Sequence, residues 1–186
     1  MPKAIRLTTL GRITVGGKST RQIRPLEAVA LLAFHGGWAL RETMRTALFG
    51  EESPNSSLTS LLTRARKLGF SIREEGGGYR LADRVNLDAL RFDQLLREGR
   101  VDEALKLYRG PFMPGAQSPF AEEVRTYLEE ALIRAVLDGP RKPRWIKEAL
   151  TRVGPEPRLA EALANVADPG IFAPLARAQV VGAGLA

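Results

Sequence analysis

The 186-residue sequence predicts an α+β domain followed by an all-α domain. Three observations support this prediction. Apolar and polar residues alternate with period two near the N-terminus, three helical segments precede a glycine-rich hairpin pattern near residue 76, and the hydrophobic period stays helical beyond residue 86. Because only helical patterns occur in the second part, we expect two domains, residues 1–85 and residues 86–186.

The first 37 residues predict a β-hairpin and a buried helix. Residues 4–15 (AIRLTTLGRITV) alternate in polarity on both sides of residues 10–11, and a further turn follows at residues 16–17. Pro25 is tolerated in the first turn of a helix, and the LEAVALLAF that follows is strongly apolar. We expect this helix to be buried and to end at residues 35–37.

Two more helices and a second hairpin follow. Residues 40–49 (LRETMRTALF) place their apolar side chains on one face and their charged side chains on the other. Serine, proline and asparagine at residues 53–56 supply turn and N-cap chemistry, and apolar residues then recur at three- and four-residue spacing up to Gly69. Short strands are expected at residues 70–73 and 79–82, around a flexible EEGGG tip.

The second part of the chain predicts helices alone. Asn86 is interpreted as a helix N-cap. The predicted helices span residues 87–98, 101–108, 120–137, 145–152 and 158–167. A loop with the sequence RGPFMPG separates the second of these helices from the third, and prolines separate the later ones.

The composition excludes several classes of protein. The chain has no cysteine and a single histidine, His35, which excludes disulfide frameworks, thiolate metal sites and Cys/His catalysis. The longest apolar run, residues 28–34, is far shorter than the roughly 20 residues that span a bilayer, and the N-terminus has no signal-peptide pattern. We therefore expect a cytoplasmic protein that has no membrane span, no metal site and no cofactor.

Residues 11–19 (GRITVGGKS) resemble a phosphate-binding loop only superficially. One residue too many separates the first glycine from the Gly-Lys pair, and the sequence that follows does not begin a helix. We interpret this stretch as a hairpin turn. Because the carboxylates lie mostly along helices beside basic residues, no catalytic constellation is present, and we predict that the protein is not an enzyme.

The net charge of +7 lies entirely in the first part of the chain. Residues 1–86 contain 14 Lys and Arg against 7 Asp and Glu, whereas residues 87–186 contain 14 of each. A basic part joined to a neutral part indicates a domain that binds a polyanion and a domain that contacts a partner.

The third predicted helix carries the strongest functional signal. With its leucines turned inward, its outer face presents hydroxyl and cationic side chains and no carboxylate: Ser56, Ser60, Thr63, Arg64 and Lys67, with Arg66 at the edge. Such groups suit base edges and phosphates in the major groove of double-stranded DNA. The hairpin that follows supplies Arg73, Gly77 and Arg80 for the backbone or the minor groove. A solvated helix face is the ordinary alternative, but it would not need to exclude acidic residues.

Two adjacent regions resemble known bacterial families. The segment LLAFHGGWALRETMRTALFGE, the helix end TRARKLG and the hairpin GGGYRL are similar to OmpR-type winged-helix DNA-binding domains over about residues 4–83. Further along, VNLDALRFDQLL, VDEALKLYRGPFMPG and SPFAEEVRTYLEEAL resemble the bacterial transcriptional activator domain of SARP-like regulators. The resemblance implies an α+β winged helix-turn-helix followed by an all-α, TPR-like helical domain that is truncated near its end.

The resemblance implies a sequence-specific transcription regulator. In such proteins the loop before the third helix touches RNA polymerase, which corresponds here to Glu51, Glu52 and Asn55. The neutral helical domain is expected to form a homodimer or to hold a partner. Departures from the family pattern are Leu61, where relatives place a polar reader, and the acidic pair Glu74 and Glu75 in the wing. These departures favour the alternative, a protein-binding adaptor that keeps both folds and has lost specific DNA binding.

Overall fold

The structure is a computed structural model that describes residues 4–50, 55–140 and 142–166. The strands are β1 (Ala4–Thr8), β2 (Thr14–Val15), β3 (Lys18–Ser19), β4 (Trp38–Leu40), β5 (Ile72–Glu75), β6 (Gly78–Leu81) and β7 (Arg84–Leu87). The helices are α1 (Ile23–Phe34), α2 (Arg41–Phe49), α3 (Asn55–Lys67), α4 (Asp88–Arg97), α5 (Val101–Leu107), α6 (Pro119–Asp138), α7 (Pro143–Val153) and α8 (Pro157–Asn165). A small sheet region therefore precedes a series of helices.

The described chain forms two compact units. The first comprises residues Met1–Arg91 and Phe112–Thr126, and the second comprises Phe92–Pro111 and Tyr127–Ala186. The segment 112–126, which the sequence analysis assigned to the helical domain, thus packs with the N-terminal elements. The division into domains 1–85 and 86–186 stays a prediction.

A four-stranded sheet in the order β3-β2-β1-β7 begins the first unit. Strand β1 pairs antiparallel with β2, as the alternating pattern predicted, and the chain turns again into β3. Strand β7 pairs with β1 in parallel, with Ala4 opposite Arg84 and Leu7 opposite Leu87. Residues directly opposite each other share a face of the sheet, and Leu7 and Leu87 are both buried on that face.

Three helices and a second sheet complete the first unit. Helix α1 is buried along nearly its whole length, since every residue from Pro25 to Leu32 is buried, and it packs on both α2 and α3. The second sheet has the order β4-β6-β5, with both neighbouring pairs antiparallel. The sheet is therefore the hairpin β5-β6 extended by a third strand that precedes α2.

Hydrogen bonds to the Asp88 side chain connect the start of α4 to the loop after β1. The carboxylate of Asp88 accepts hydrogen bonds from the backbone N–H and the hydroxyl of Thr9, both at 2.7 Å, and from the backbone N–H of Leu10 at 3.1 Å. Thr9 is fully buried. A buried N–H and hydroxyl without partners would each be costly, so Asp88 stabilises the junction between β7 and α4.

Segment 112–126 completes the apolar core of the first unit. The rings of Phe34, Phe112 and Phe120 form a cluster of edge-to-face contacts, with centroids 5.8–6.0 Å apart. Nearby, the fully buried carboxylate of Glu27 accepts a hydrogen bond from the Ser118 hydroxyl at 2.7 Å and pairs with Arg24 at 2.7 Å. These contacts satisfy a charge that would otherwise be costly to bury.

The described residues of the second unit form helices and the loops between them. The carboxylate of Asp102 in α5 accepts hydrogen bonds from the indole of Trp145 in α7, at 2.9 Å, and from Arg144. Glu130 in α6 accepts hydrogen bonds from Arg158 and Arg134, and these two guanidiniums lower the pKa of the Glu130 carboxyl to about 2. Cross-helix pairs of this kind link α6 to α8. No helix in the described ranges has the length and apolar character required to cross a membrane.

Besides the two-residue β3 that follows the predicted turn at residues 16–17, two strands were not predicted from the sequence. Strand β4 occupies Trp38–Leu40, and strand β7 occupies Arg84–Leu87, which includes Asn86. The interpretation of Asn86 as an N-cap is therefore wrong, because its backbone pairs with Arg6 in the sheet. The remaining helices and strands agree with the predicted ones to within about two or three residues at their ends, which is the usual uncertainty of a helix or strand boundary.

Candidate nucleic-acid interface

The inner face of α3 is set by leucine and alanine. Leu58, Leu62 and Ala65 have at most 1% of their surface exposed, as their spacing predicted. Leu61 is also buried, at 5% exposed. Its side chain therefore belongs to the core of the first unit, and the comparison with a polar reader in relatives stays a prediction.

The outer face of α3 presents hydroxyl and cationic groups to solvent. The helix contains no aspartate or glutamate, and its exposed residues are Thr59, Ser60, Thr63, Arg64, Arg66 and Lys67. Thr59 was missed by the sequence analysis, although it lies one turn before Thr63. The side chains of Ser56 and Asn55 lie outside the described residues, so the proposed role of Ser56 stays a prediction.

Arg64 and Lys67 are the accessible cations of this face. Within residues 4–50, 55–140 and 142–166, neither side chain has a hydrogen-bond or ion-pair partner. Both lie in the last turn of α3, where the helix dipole favours positive charge. The hydroxyl of Thr63 donates to the carbonyl of Thr59 at 2.9 Å, which leaves its oxygen lone pairs as acceptors. The face therefore combines two free cations with small polar groups.

Arg66 has a different role from its two neighbours. Its Nε donates a hydrogen bond of 2.9 Å to the backbone carbonyl of Ile72, the first residue of β5. The side chain thus ties the end of the candidate recognition helix to the hairpin that follows. Sequence reasoning placed Arg66 at the edge of the outer face but did not predict this bond.

We expect Arg66→Ala to lower the free energy of unfolding by about 1–2 kcal/mol, because a partly buried hydrogen bond from a charged group is lost. Arg64→Ala, the matched variant two residues earlier, should change stability by less than about 0.5 kcal/mol, since its exposed side chain has no partner within the described ranges. Urea denaturation followed by circular dichroism would measure both. Equal stabilities for the two variants would contradict a structural role for Arg66.

The hairpin β5-β6 has a two-residue tip. Glu75 is paired with Gly78, and the residues between them, Gly76 and Gly77, have φ angles of +60° and +74°. Two consecutive positive φ values are typical of a type I′ turn, which glycine adopts without strain. The predicted five-residue flexible tip is therefore wrong: Glu74, Glu75 and Gly78 belong to the strands.

Most charged side chains of the hairpin form ion pairs. Arg80 pairs with Glu75, with Nε and Oε2 2.8 Å apart, and Arg41 at the start of α2 pairs with Glu74. Arg73 lies directly across from Arg80, is exposed, and has no partner in the described part of the chain. Of the predicted hairpin residues, Arg73 is thus free, Arg80 is engaged and Gly77 lies at the exposed tip.

Residues at the start of α2 join this surface and were missed from the sequence. Leu40 is 48% exposed, and the backbone N–H of Arg41 donates to the carbonyl of Gly77 at 3.2 Å. The signal was weak because Leu40 fits the apolar face of an α2 that begins one residue earlier. The strand β4 directs it outward instead.

The residues predicted to contact RNA polymerase lie between the end of α2 and the start of α3. Glu51 and Glu52 lie outside the described residues, as does the side chain of Asn55. In the ranges that are described, no group of three or more His, Cys, Asp or Glu side chains is placed to hold a metal ion.

Comparisons with known proteins leave the family open. No protein-family model matches the chain, and no curated protein matches it in sequence. A solved structure of Mycobacterium tuberculosis EmbR in complex with a low affinity phosphopeptide is similar to 96% of this chain, with 18% sequence identity and a TM-score of 0.45. The chain spans 65% of that EmbR chain.

Proposed function

We propose that this protein is a sequence-specific DNA-binding transcription regulator of the SARP-like, OmpR-type winged-helix class. In this proposal α3 is the recognition helix and the hairpin β5-β6 is the wing. Helix α3 enters the major groove of a DNA duplex, while the wing meets the backbone or the minor groove.

The outer face of α3 is the observation that carries the proposal. Arg64 and Lys67 are exposed without partners in the described ranges, and Thr59, Ser60 and Thr63 supply hydroxyls between them. Arginine can bind guanine O6 and N7 in a bidentate pair, and lysine and hydroxyl groups bind phosphates. A solvated helix surface would need no such exclusion of carboxylates.

Residues 1–86, which include α3 and the wing, also concentrate positive charge, as a duplex-binding region requires. All of the net charge of +7 falls within residues 1–86. If one monomer neutralises about four phosphates, the logarithm of its affinity should fall with the logarithm of salt concentration at a slope of roughly −3.6.

We also propose roles for the rest of the chain, which are those that the family resemblance implies. Residues 86–186 would form the TPR-like domain, which mediates a homodimer or holds a protein partner. Glu51, Glu52 and Asn55 would contact RNA polymerase. The protein would act in the cytoplasm, without a cofactor and without enzymatic activity.

The competing proposal is a protein-binding adaptor with the same folds. The observation in its favour is that Glu74 and Glu75 form ion pairs with Arg41 and Arg80. In the described hairpin, Arg73 is then the arginine without a partner. An adaptor of this kind would bind its partner through another surface, and substitution of Arg64 would leave that interaction unchanged.

Selection of randomised duplexes by the full chain tests the two proposals. We expect an enriched motif for the wild type and no enrichment for the Arg64→Ala, Lys67→Ala variant. The Lys106→Ala, Arg109→Ala variant removes two exposed cations from the second unit and should recover the wild-type motif. The absence of any enriched motif, with binding that vanishes at physiological salt, would favour the adaptor.

A further inference from the structure

Two arginines flank the candidate wing and both are held by wing carboxylates. Arg41 at the start of α2 pairs with Glu74, and Arg80 on β6 pairs with Glu75. The arginine side chains are 41% and 47% exposed, and the glutamate side chains are 60% and 53% exposed. Both pairs therefore lie at the surface, within reach of a ligand.

The Arg41 side chain is supported independently of its ion pair. Its guanidinium lies 5.3 Å from the centroid of the Tyr79 ring, in a cation–π arrangement, and the Tyr79 side chain is buried. The backbone N–H of Arg41 donates to the Gly77 carbonyl at the tip of the hairpin. Loss of the carboxylate partner would therefore leave Arg41 with contacts that hold it at the base of the wing.

The Arg80 site is supported by the backbone around it. Arg80 is paired with Trp38 on one side and with Arg73 on the other, in the middle of the three-stranded sheet. The indole of Trp38 donates a hydrogen bond of 3.1 Å to the backbone carbonyl of Glu75. This bond fixes the main chain of Glu75, while its carboxylate stays half exposed and free to rotate away.

Carboxylate and phosphate are interchangeable partners for a guanidinium. Both offer paired oxygens to the two N–H groups of arginine, and the phosphodiester of a duplex lies in a dense row of negative charge. Exposed carboxylate pairs contribute little to stability and are screened by salt, so exchange for a phosphate is inexpensive.

We propose that Arg41 and Arg80 are two masked phosphate-binding positions, in which Glu74 and Glu75 occupy the places that duplex phosphates take on binding. Because Glu74 and Glu75 are neighbours in a strand, the two positions lie on opposite faces of the hairpin. This inference rests on the proposed function. The carboxylates compete with every phosphate, so they weaken contacts that are common to all duplexes. They leave the contacts of α3 unaffected. The pairs thereby lower the affinity for every duplex by about the same factor and leave the choice of sequence to α3.

Substitution of the two carboxylates tests this proposal. The Glu74→Gln, Glu75→Gln variant should bind a duplex of unrelated sequence roughly tenfold more tightly, and its salt slope should steepen by up to about 1.8, the value for two additional phosphates. The gain should be of similar size on the selected motif, because the phosphates are common to both duplexes. Fluorescence anisotropy with labelled duplexes at several salt concentrations measures all four cases.

Two further variants identify the cause of the gain. Glu98→Gln, Glu103→Gln changes the net charge equally in the second unit, where both carboxylates pair with Arg100, and should leave the salt slope at the wild-type value. Adding Arg41→Gln and Arg80→Gln to the wing variant should abolish the steeper slope. A gain that persists without these arginines would show simple relief of repulsion and would overturn the phosphate site.

Failure of this inference is distinct from failure of the proposed function. A wild type that binds no duplex at low salt would refute the function itself. A wild type whose binding depends on Arg64, with a wing variant that matches the Glu98→Gln, Glu103→Gln control, would refute the masked site alone. Thermal melting of each variant checks that the fold is kept, above all for Arg41→Gln, because Arg41 is half-buried and lies against the Tyr79 ring.

Discussion

Replacement of Arg64 and Lys67 by alanine should nearly abolish sequence-specific duplex binding while leaving the fold intact. A bidentate arginine–guanine pair contributes about 5- to 150-fold in affinity for the correct base. Loss of the lysine removes a phosphate contact, which weakens binding to all sequences and reduces the salt slope by about 0.9. Because both side chains are exposed and unpaired within the described ranges, stability should not change.

Competition assays with the selected motif and with a scrambled duplex separate these contributions. We expect Arg64→Ala alone to reduce the preference for the motif, and Lys67→Ala alone to weaken both duplexes equally. The Lys106→Ala, Arg109→Ala variant has the same change in charge and should bind like the wild type. If that control loses as much affinity as the α3 variant, net charge rather than the helix face governs binding.

Gly78→Ala should disrupt the three-stranded sheet and destabilise the first unit by about 3 kcal/mol, the upper part of the range for an overpacked site. A Cβ atom at residue 78 would overlap the carbonyl oxygen of Ala39 and lie 2.9 Å from its carbonyl carbon. These are backbone atoms of β4, which pairs with β6, so the neighbour cannot rotate away. We expect the melting temperature to fall by about 6–12 °C for a protein of this size.

Gly76→Ala is the matched control for this prediction. Residue 76 has a φ angle of +60°, but nothing lies within 4 Å of an added Cβ. The substitution should therefore cost only about 1 kcal/mol of backbone strain. Thermal melting followed by circular dichroism compares the two variants. Similar melting temperatures would indicate that β4 moves aside and that its contact with β6 is not tightly packed.

Helices and strands whose hydrophobic residues recur at a clear helical or strand spacing were predictable from the sequence. The alternation of residues 4–15 defined the first hairpin, and the leucine spacing of residues 58–68 defined α3. Strands β4 and β7 run directly into α2 and α4, so Leu40 and Leu87 were interpreted as the first residues of helices. Each exists because it pairs with a strand far along the chain, with Trp38 opposite Arg80 and Ala4 opposite Arg84.

The candidate site was predictable in its composition but not in its contacts. The exposure of Ser60, Thr63, Arg64 and Lys67 follows directly from helical period. The bond from Arg66 to Ile72 depends on how α3 meets β5, and the pair between Arg41 and Glu74 joins residues 33 positions apart. Long-range contacts of this kind depend on tertiary packing, which local patterns do not encode.

During translation, β1 is synthesised long before β7, the strand that completes its sheet. Ala4 pairs with Arg84, so β7 emerges about 80 residues after its partner, and Phe112 and Phe120 emerge later still to pack on Phe34. Long-range pairings of this kind form slowly, because the entropy of closing the loop is lost before the contacts form. The nascent chain must therefore carry an open edge on β1 until residue 87 is available, and the exposed Arg6 in that strand opposes pairing with other chains during the interval.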